Sequence, residues 1–330
     1  MKVLVTGANG FLASNIIRIL VGRGHQVSGL VRKNADLRSI QGLDLDLIYG
    51  ELTDAADVQD AVKGCDRVIH AAANTSQRQV NYWDFETVNV KGTVNVLNAC
   101  IRFAVERLIY ISTANTMGYG SRDDPGNEDR KPSALFLGSF YARSKFEAQQ
   151  QVLRYVADKH LDAIVVNPTF MLGPYDVKPG SGRIILMHYR KRYAFVPRGG
   201  KNFVHVGDVA EAVCNAMQHG RKGRCYLTGG ENLTYKEFLQ VQASVTGFPS
   251  HIRQLPDSLV WAAGMAGSAW SGLGFSSDLN LRNARLICIG NYYDSSRAIS
   301  ELQMPQTPVK QAVSDAIAWY GSQGMLPDSP

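Results

Sequence analysis

No two cysteines in the chain stand as a C-x-x-C pair. The five present (Cys65, Cys100, Cys214, Cys225, Cys288) are odd in number and scattered. That spacing excludes a disulfide framework and a structural zinc site, and it predicts a reducing, cytoplasmic setting. No long basic arm accompanies the net charge of +6, which is spread in short groups such as RKGR at 221–224. Nucleic acid is therefore not the expected partner, and the charge suits solubility and an anionic ligand. No charged and apolar leader precedes KVLVTG, so no signal peptide is expected. Only one stretch, 258–277 (SLVWAAGMAGSAWSGLGFSS), is uncharged over a length that could cross a bilayer, and it holds four Gly and five Ser. A buried helix and loop of a second lobe is expected there rather than a transmembrane span, with contact to a membrane or lipid surface as the alternative.

What is present is a chain of 330 residues, 45% apolar and 19% charged, long enough for one large domain or two unequal lobes. Its first half alternates short β-branched runs with amphipathic ones. KVLVT (2–6), HQVSGLVR (25–32), DLDLIYG (44–50), DRVIHAAA (66–73), ERLIYIST (106–113) and DAIVVNP (162–168) read as strands. FLASNIIRILVGRG (11–24), TDAADVQDAVKG (53–64) and FETVNVKGTVNVLNACIRF (85–103) read as helices, the second opening on a Thr or Asp cap and closing on Gly64. This alternation predicts an α/β fold, a Rossmann-type doubly wound parallel sheet. Beyond Pro168 the alternation loosens. The expected division is a cofactor domain at 1–168 with a returning segment near 200–228, and a smaller discontinuous substrate lobe at 169–199 and 229–330. The Gly-, Pro- and acid-rich loop 118–139 is expected at the rim of a site.

TGANGFLA (6–13) joins the first strand to the first helix. Gly7 and Gly10 allow a tight turn and close approach to a pyrophosphate, while the amides opening the helix at Phe11 and Leu12 face its charge. The end of the second strand reads SGLVRKN, with Leu30 and Val31 where an acid would hold a ribose 2′-hydroxyl, followed by Arg32 and Lys33. Two cations suit a 2′-phosphate, so NADP(H) is the expected cofactor and NAD the alternative. In YARSK (141–145) a tyrosine and a lysine stand one helical turn apart on one face. An ammonium there favours the phenolate and brings a pKa near 10 toward neutrality, as proton transfer to a developing alkoxide requires.

TGANGFLA, HAAA (70–73), NVKGT (89–93), YIST (110–113), YARSK and NPTFMLGP (167–174), in that order, resemble the extended short-chain dehydrogenases/reductases. The tail YYDSSRAISELQ…TPVKQAVSDAIAWY (292–320) resembles their dihydroflavonol-4-reductase-like branch. The resemblance implies that Tyr141 is the general acid/base and that Lys145 tunes it and holds the nicotinamide ribose. It implies a catalytic hydroxyl at Thr113, where many relatives carry serine, with Ser112 as the fallback. It places Glu51 and Leu52 at the adenine, Ala71, Ala72 and Ala73 along the cofactor, Asn89 in a structural role, and Pro168, Thr169 and Phe170 at the carboxamide. His205, between two valines, is expected to be a structural residue. The activity implied is reduction of a ketone or aldehyde, or oxidation of a secondary alcohol, by a homodimer acting on a small molecule. A nucleotide-sugar epimerase or dehydratase, a 3β-hydroxysteroid dehydrogenase-like enzyme, and a non-catalytic NADP sensor or scaffold are the alternatives.

Overall fold

A computed structural model gives the fold and describes residues 1–76, 81–272 and 281–327. Strands β1 (Lys2–Thr6), β2 (Gln26–Val31), β3 (Asp46–Tyr49), β4 (Arg67–His70), β5 (Arg107–Ile111) and β6 (Ala163–Pro168) join the strand Cys225–Thr228 in one seven-stranded sheet. All its neighbours are parallel, in the order Cys225–Thr228, β6, β5, β4, β1, β2, β3. β1 and β6 are buried almost throughout because helices cover both faces, which is why they read as unbroken apolar runs. One apolar cluster, built on Val5, Ile16 and Val209, fills one face of the sheet, and a second, on Leu4, Leu97 and Val152, fills the other. The strand order reverses at β1, which stands between β2 and β4, so a crevice opens at the carboxyl ends there.

Two helices follow the sequence closely. Phe11–Gly22 begins at Gly10, and Ala55–Val62 is capped by the Asp54 carboxylate, which accepts from the amides of Ala56 and Asp57. The expected helix over 85–103 differs. It starts at Tyr82 and runs to Arg102, but Glu86–Lys91 in its middle adopts the wider π form. Asn89 sits in that turn, 2% exposed, with its Oδ1 accepting from the Asn74 amide and its Nδ2 donating to Asn74 O and Ser144 Oγ. The π turn turns a polar side chain inward, a local geometry that spacing in the sequence does not announce.

In the smaller lobe Gly200–His205 is flanked by Glu231–Thr234 and Gly290–Asn291 and also pairs with Phe170–Leu172, while Tyr193–Val196 pairs with His251–Gln254. The Phe203 and Phe238 rings stack there at 4.4 Å. Gly200–His205 lies in the small sheet, but its Val204 already packs into the large sheet's core together with the helix Val206–His219. Ala298 and Leu302 of the helix Ser296–Leu302 also pack into the large sheet's core. The loop 118–139 contains a short helix, Ala134–Leu137, and bridges to Tyr292 and Tyr293.

The stretch 258–277 corrects an expectation. The helix Asp257–Gly272 exists, but it is not buried: Leu259, Trp261 and Met265 are 55%, 44% and 55% exposed. Residues 273–277 lie outside the described ones. Among the described residues, no helix is long and apolar enough to cross a membrane.

Candidate active site

The turn after β1 is shaped by Gly7, whose φ of +66° lies in the left-handed region. A Cβ at Gly7 would stand 2.7 Å from Ala72 Cα, so only glycine lets the loop lie against the end of β4. The Gly7 amide donates to Leu30 O at 2.9 Å and the Gly10 amide to Gly7 O at 2.8 Å. Gly10 caps the following helix with no side chain and no acid stands in its first turn, so the amides at Phe11 and Leu12 keep their dipole for an external anion. This cradle fits a pyrophosphate. Ala72, half-buried like Ala71 and Ala73, stands against Gly7.

Arg32 and Lys33 are exposed at the end of β2, beside the cradle. A residue that sequence reasoning passed over, Asp36, also lies here: Arg38 grips its carboxylate, with one contact at 2.8 Å, and holds its pKa down at about 2. Asp36 is therefore already engaged by Arg38. Glu51 is exposed, while Leu52 is buried and its carbonyl accepts from Asn95 Nδ2 at 2.9 Å.

Tyr141 and Lys145 lie on the helix Phe140–Asp158, whose buried face also carries Ser144, Ala148 and Gln149. Burial pushes the Tyr141 phenol up to about 12, and a hydrogen bond with the Thr113 side chain pulls the other way. Lys145 is 2% exposed. Its Nζ donates to Ile111 O at 2.7 Å and lies 4.3 Å from the centre of the Tyr110 ring, and burial pushes its pKa down to about 7. The ammonium thus rests on the end of β5 rather than on the phenol. The structure brings Thr113, Tyr141 and Lys145 together; Ser112 Oγ is buried beside them without a hydrogen-bond partner among the described residues.

Thr113 is itself fixed from behind. Asn167 Nδ2 donates to Thr113 O at 3.2 Å and to Thr116 Oγ1 and Gln149 Oε1 at 3.0 and 2.9 Å. Gln149 follows Lys145 by four residues, so helical spacing from YARSK was the available signal for it. His70 was hidden inside HAAA: it is fully buried, contacts Thr6 Oγ1 at 2.7 Å and Thr93 Oγ1 at 3.0 Å, and burial drops its pKa to about 3. It is a neutral pin between β1, β4 and the long helix. His205 is a cap as well, accepting from the Gly207 amide and contacting Asp315 Oδ2 at 3.1 Å.

Beside β5, Pro168 ends β6, Thr169 Oγ1 donates to Asn202 Oδ1 at 2.8 Å, and Phe170 meets Phe203 edge to face. Lys201, not singled out by its motif, stands with its Nζ 5.3 Å from the Phe170 ring centre, and burial pushes its pKa down to about 8.

Comparison with known proteins agrees with this geometry. Residues 3–229 match the NAD dependent epimerase/dehydratase family. The chain is 33% identical over 332 residues to sterol demethylase protein B of Methylococcus capsulatus, covering 99% of this chain and 100% of that one. It is 31% identical over 331 residues to a Synechocystis protein with a provisional dihydroflavonol 4-reductase name, covering 98% and 95%. The solved structure of gox2253 superposes with a TM-score of 0.86 at 31% identity over 99% of both chains. Reductase names recur among more distant relatives. Family model, full-length relatives and superposed fold converge: the chain belongs to the NAD dependent epimerase/dehydratase family, among the extended short-chain dehydrogenases/reductases, and is an NAD(P)-dependent oxidoreductase.

Proposed function

We propose that the protein uses NADPH to reduce a ketone or aldehyde on a largely apolar small molecule, with the reverse oxidation of a secondary alcohol at the same site. The observation that carries this reading is the meeting of Thr113, Tyr141 and Lys145 at the carboxyl end of β5, two strands along the sheet from β1 and its Gly7–Gly10 cradle. When bound, the cofactor supplies or accepts the hydride. Gly7, Gly10 and the amides of Phe11 and Leu12 would hold its pyrophosphate, Arg32 and Lys33 the 2′-phosphate, and Glu51 and Leu52 the adenine. Ala71, Ala72 and Ala73 would leave room along its length, with Pro168 and Phe170 at the carboxamide.

The remaining chemistry belongs to the chain. Thr113 orients the substrate oxygen through its hydroxyl, and Tyr141 donates the proton that neutralises the developing alkoxide. Burial favours the neutral phenol, which is the form a proton donor needs. Lys145 would hold the ribose hydroxyls of the bound cofactor and, when charged, eases loss of the phenolic proton.

We further assign the site to a cytoplasmic homodimer, paired through the helices Gly92–Arg102 and Phe140–Asp158. Support comes from the five free thiols and from Ile101, 42% exposed on the first of these helices. A monomer in light scattering at micromolar concentration would reject the pairing.

The direct test is Tyr141→Phe in single-turnover hydride transfer at saturating NADPH with a panel of carbonyls. The rate is expected to fall by about 10²-fold or more with NADPH affinity preserved, since one general acid is removed. Parent-like transfer by the variant would place the proton donor elsewhere. A parent protein that binds NADPH without turning over any carbonyl, or one that retains cofactor tightly through purification, would favour the sensor or the epimerase reading.

A further inference from the structure

Six large apolar side chains are more than half exposed among the described residues, and four of them (Tyr193, Phe195, Leu259, Met265) belong to one ribbon of the small lobe and the helix that follows it. Trp261, 44% exposed, adds to them. The parts are physically joined. Tyr193–Val196 pairs in parallel with His251–Gln254, setting Tyr193 beside His251 and Phe195 beside Arg253. The Leu255 amide then donates to Val196 O at 2.8 Å just before the helix Asp257–Gly272 begins.

That helix is packed through a narrow stripe. Val260 and Gly264 are buried, and Ser268 Oγ donates to Gly264 O and accepts from the Leu281 amide, tying in the next helix, Leu281–Cys288. Leu259, Ala262, Ala263, Met265 and Ala266 face away from this seam and are exposed, while Trp261, 44% exposed, hydrogen-bonds Cys288 on the next helix. No charged residue occurs from 258 to 272. An uncharged helix left this bare is unusual for a surface in water. At about 1.5 Å per residue its 16 residues reach about 24 Å, short of a bilayer's apolar core of about 30 Å, so it would lie along a membrane and not cross it.

Charge distinguishes the kinds of surface it could meet. Residues 183–198 and 251–288 together contain eight cations against two acids, which is the chain's whole net charge of +6. Lys191, Arg192, Arg198, Arg253, Arg282 and Arg285 are all exposed, and none is in an ion pair among the described residues. Aromatic and aliphatic side chains set among unpaired cations match the acyl–headgroup boundary of an anionic bilayer. A second copy of this chain would bring an equally basic face, and the two would repel.

We propose that the helix Asp257–Gly272 and the ribbon Tyr193–Val196/His251–Gln254 dock the protein on an anionic lipid surface. The arrangement also places the enzyme where an apolar substrate would reside. Arg282, at the foot of the docking unit, stands over Gly138, three residues before Tyr141, with its Nε 3.1 Å from where a Gly138 Cβ would be. The docked face therefore adjoins the approach to the candidate site.

The test is flotation of the full chain, with NADPH, on vesicles of phosphatidylcholine alone and of phosphatidylcholine with phosphatidylglycerol. The parent is expected to float with the anionic vesicles, weakly with neutral ones, and less as salt rises. The double variant Leu259→Ser, Met265→Ser should lose about tenfold or more in affinity, the effect of withdrawing a large apolar side chain from the bilayer. Arg253→Glu should weaken binding to anionic vesicles alone. Should the double variant fail to fold, Phe195→Ser, at 63% exposure, probes the same face. A parent that ignores anionic vesicles, or a double variant that binds like the parent, overturns the proposal. Self-association that disappears in the double variant does so too, by assigning the face to a second copy.

Discussion

Lys145 stands in the surroundings least suited to its charge, and replacing it by methionine should therefore stabilise the ligand-free protein while disabling it. The ammonium is 2% exposed, with one carbonyl and one aromatic ring as company, and its pKa falls from 10.5 to about 7. At 1.36 kcal/mol per unit, keeping it charged in the folded chain costs about 5 kcal/mol below pH 7. The sign follows from linkage. A base whose folded pKa is lowered binds its proton more readily when unfolded, so stability rises with pH between about 7 and 10.5. At pH 6 nearly the whole cost applies, whereas at pH 9.5 about 1.4 kcal/mol is left. Lys145→Met removes this dependence, so its stability advantage over the parent should shrink by about 3 kcal/mol between those two pH values. Leaving Ile111 O without its donor costs the variant about 1–3 kcal/mol at either pH, and that offset cancels in the comparison. So does Lys201, pushed down to about 8 in both proteins. Urea unfolding of the two ligand-free proteins at pH 6 and pH 9.5 gives the answer. A gap of equal size at both values would refute the reasoning. Saturating NADPH should favour the parent, because only its lysine can grip the ribose, and turnover by the variant should collapse.

Gly7→Ala combines left-handed strain with a Cβ 2.7 Å from Ala72 Cα, so it should cost about 2–4 kcal/mol in thermal or urea unfolding and weaken NADPH binding. Gly22→Ala, where nothing lies within 4 Å, should be neutral or stabilising, and equal effects from the two would contradict the steric account. Thr113→Ser should keep turnover and Thr113→Val should lower it by about tenfold or more, as loss of a hydrogen bond to a charged oxygen predicts; a fully active valine variant would shift the role to Ser112. NADPH should bind more tightly than NADH, with Arg32→Ala narrowing the difference by about tenfold, and equal affinities in the parent would dismiss the 2′-phosphate role.

The large sheet was legible because its strands are covered on both faces, so burial imposes the same β-branched composition that local propensity favours. The glycine turn was legible because the backbone at Gly7 demands a residue without Cβ. Asn89, His70 and Gln149 were harder. Each acts through hydrogen bonds to groups far away in sequence, such as His70 to Thr6 and Thr93 at once, and no local period encodes such a partner. Asp36 was missed for a different reason: it falls past the end of β2, where loop geometry and not strand register decides what it reaches. The helix Asp257–Gly272 misled because apolar composition implies burial only when another element is present to supply the cover.

Burial acts on the two titrating groups in opposite senses, and that bears on direction. It raises the Tyr141 phenol to about 12 and lowers the Lys145 ammonium to about 7, so in both cases it favours the uncharged form. A neutral phenol beside a substrate carbonyl is already the acid that reduction consumes, and no charge has to be created before the proton moves. Oxidation of an alcohol starts from the phenolate, which this environment disfavours unless Lys145 is charged, and Lys145 loses its charge as pH rises past about 7. The ligand-free chain therefore holds the phenol in the protonated form that reduction starts from, yet the raised pKa makes it a weaker acid. Thr113 moderates that rise, since the hydrogen bond with its side chain pulls the phenol back down.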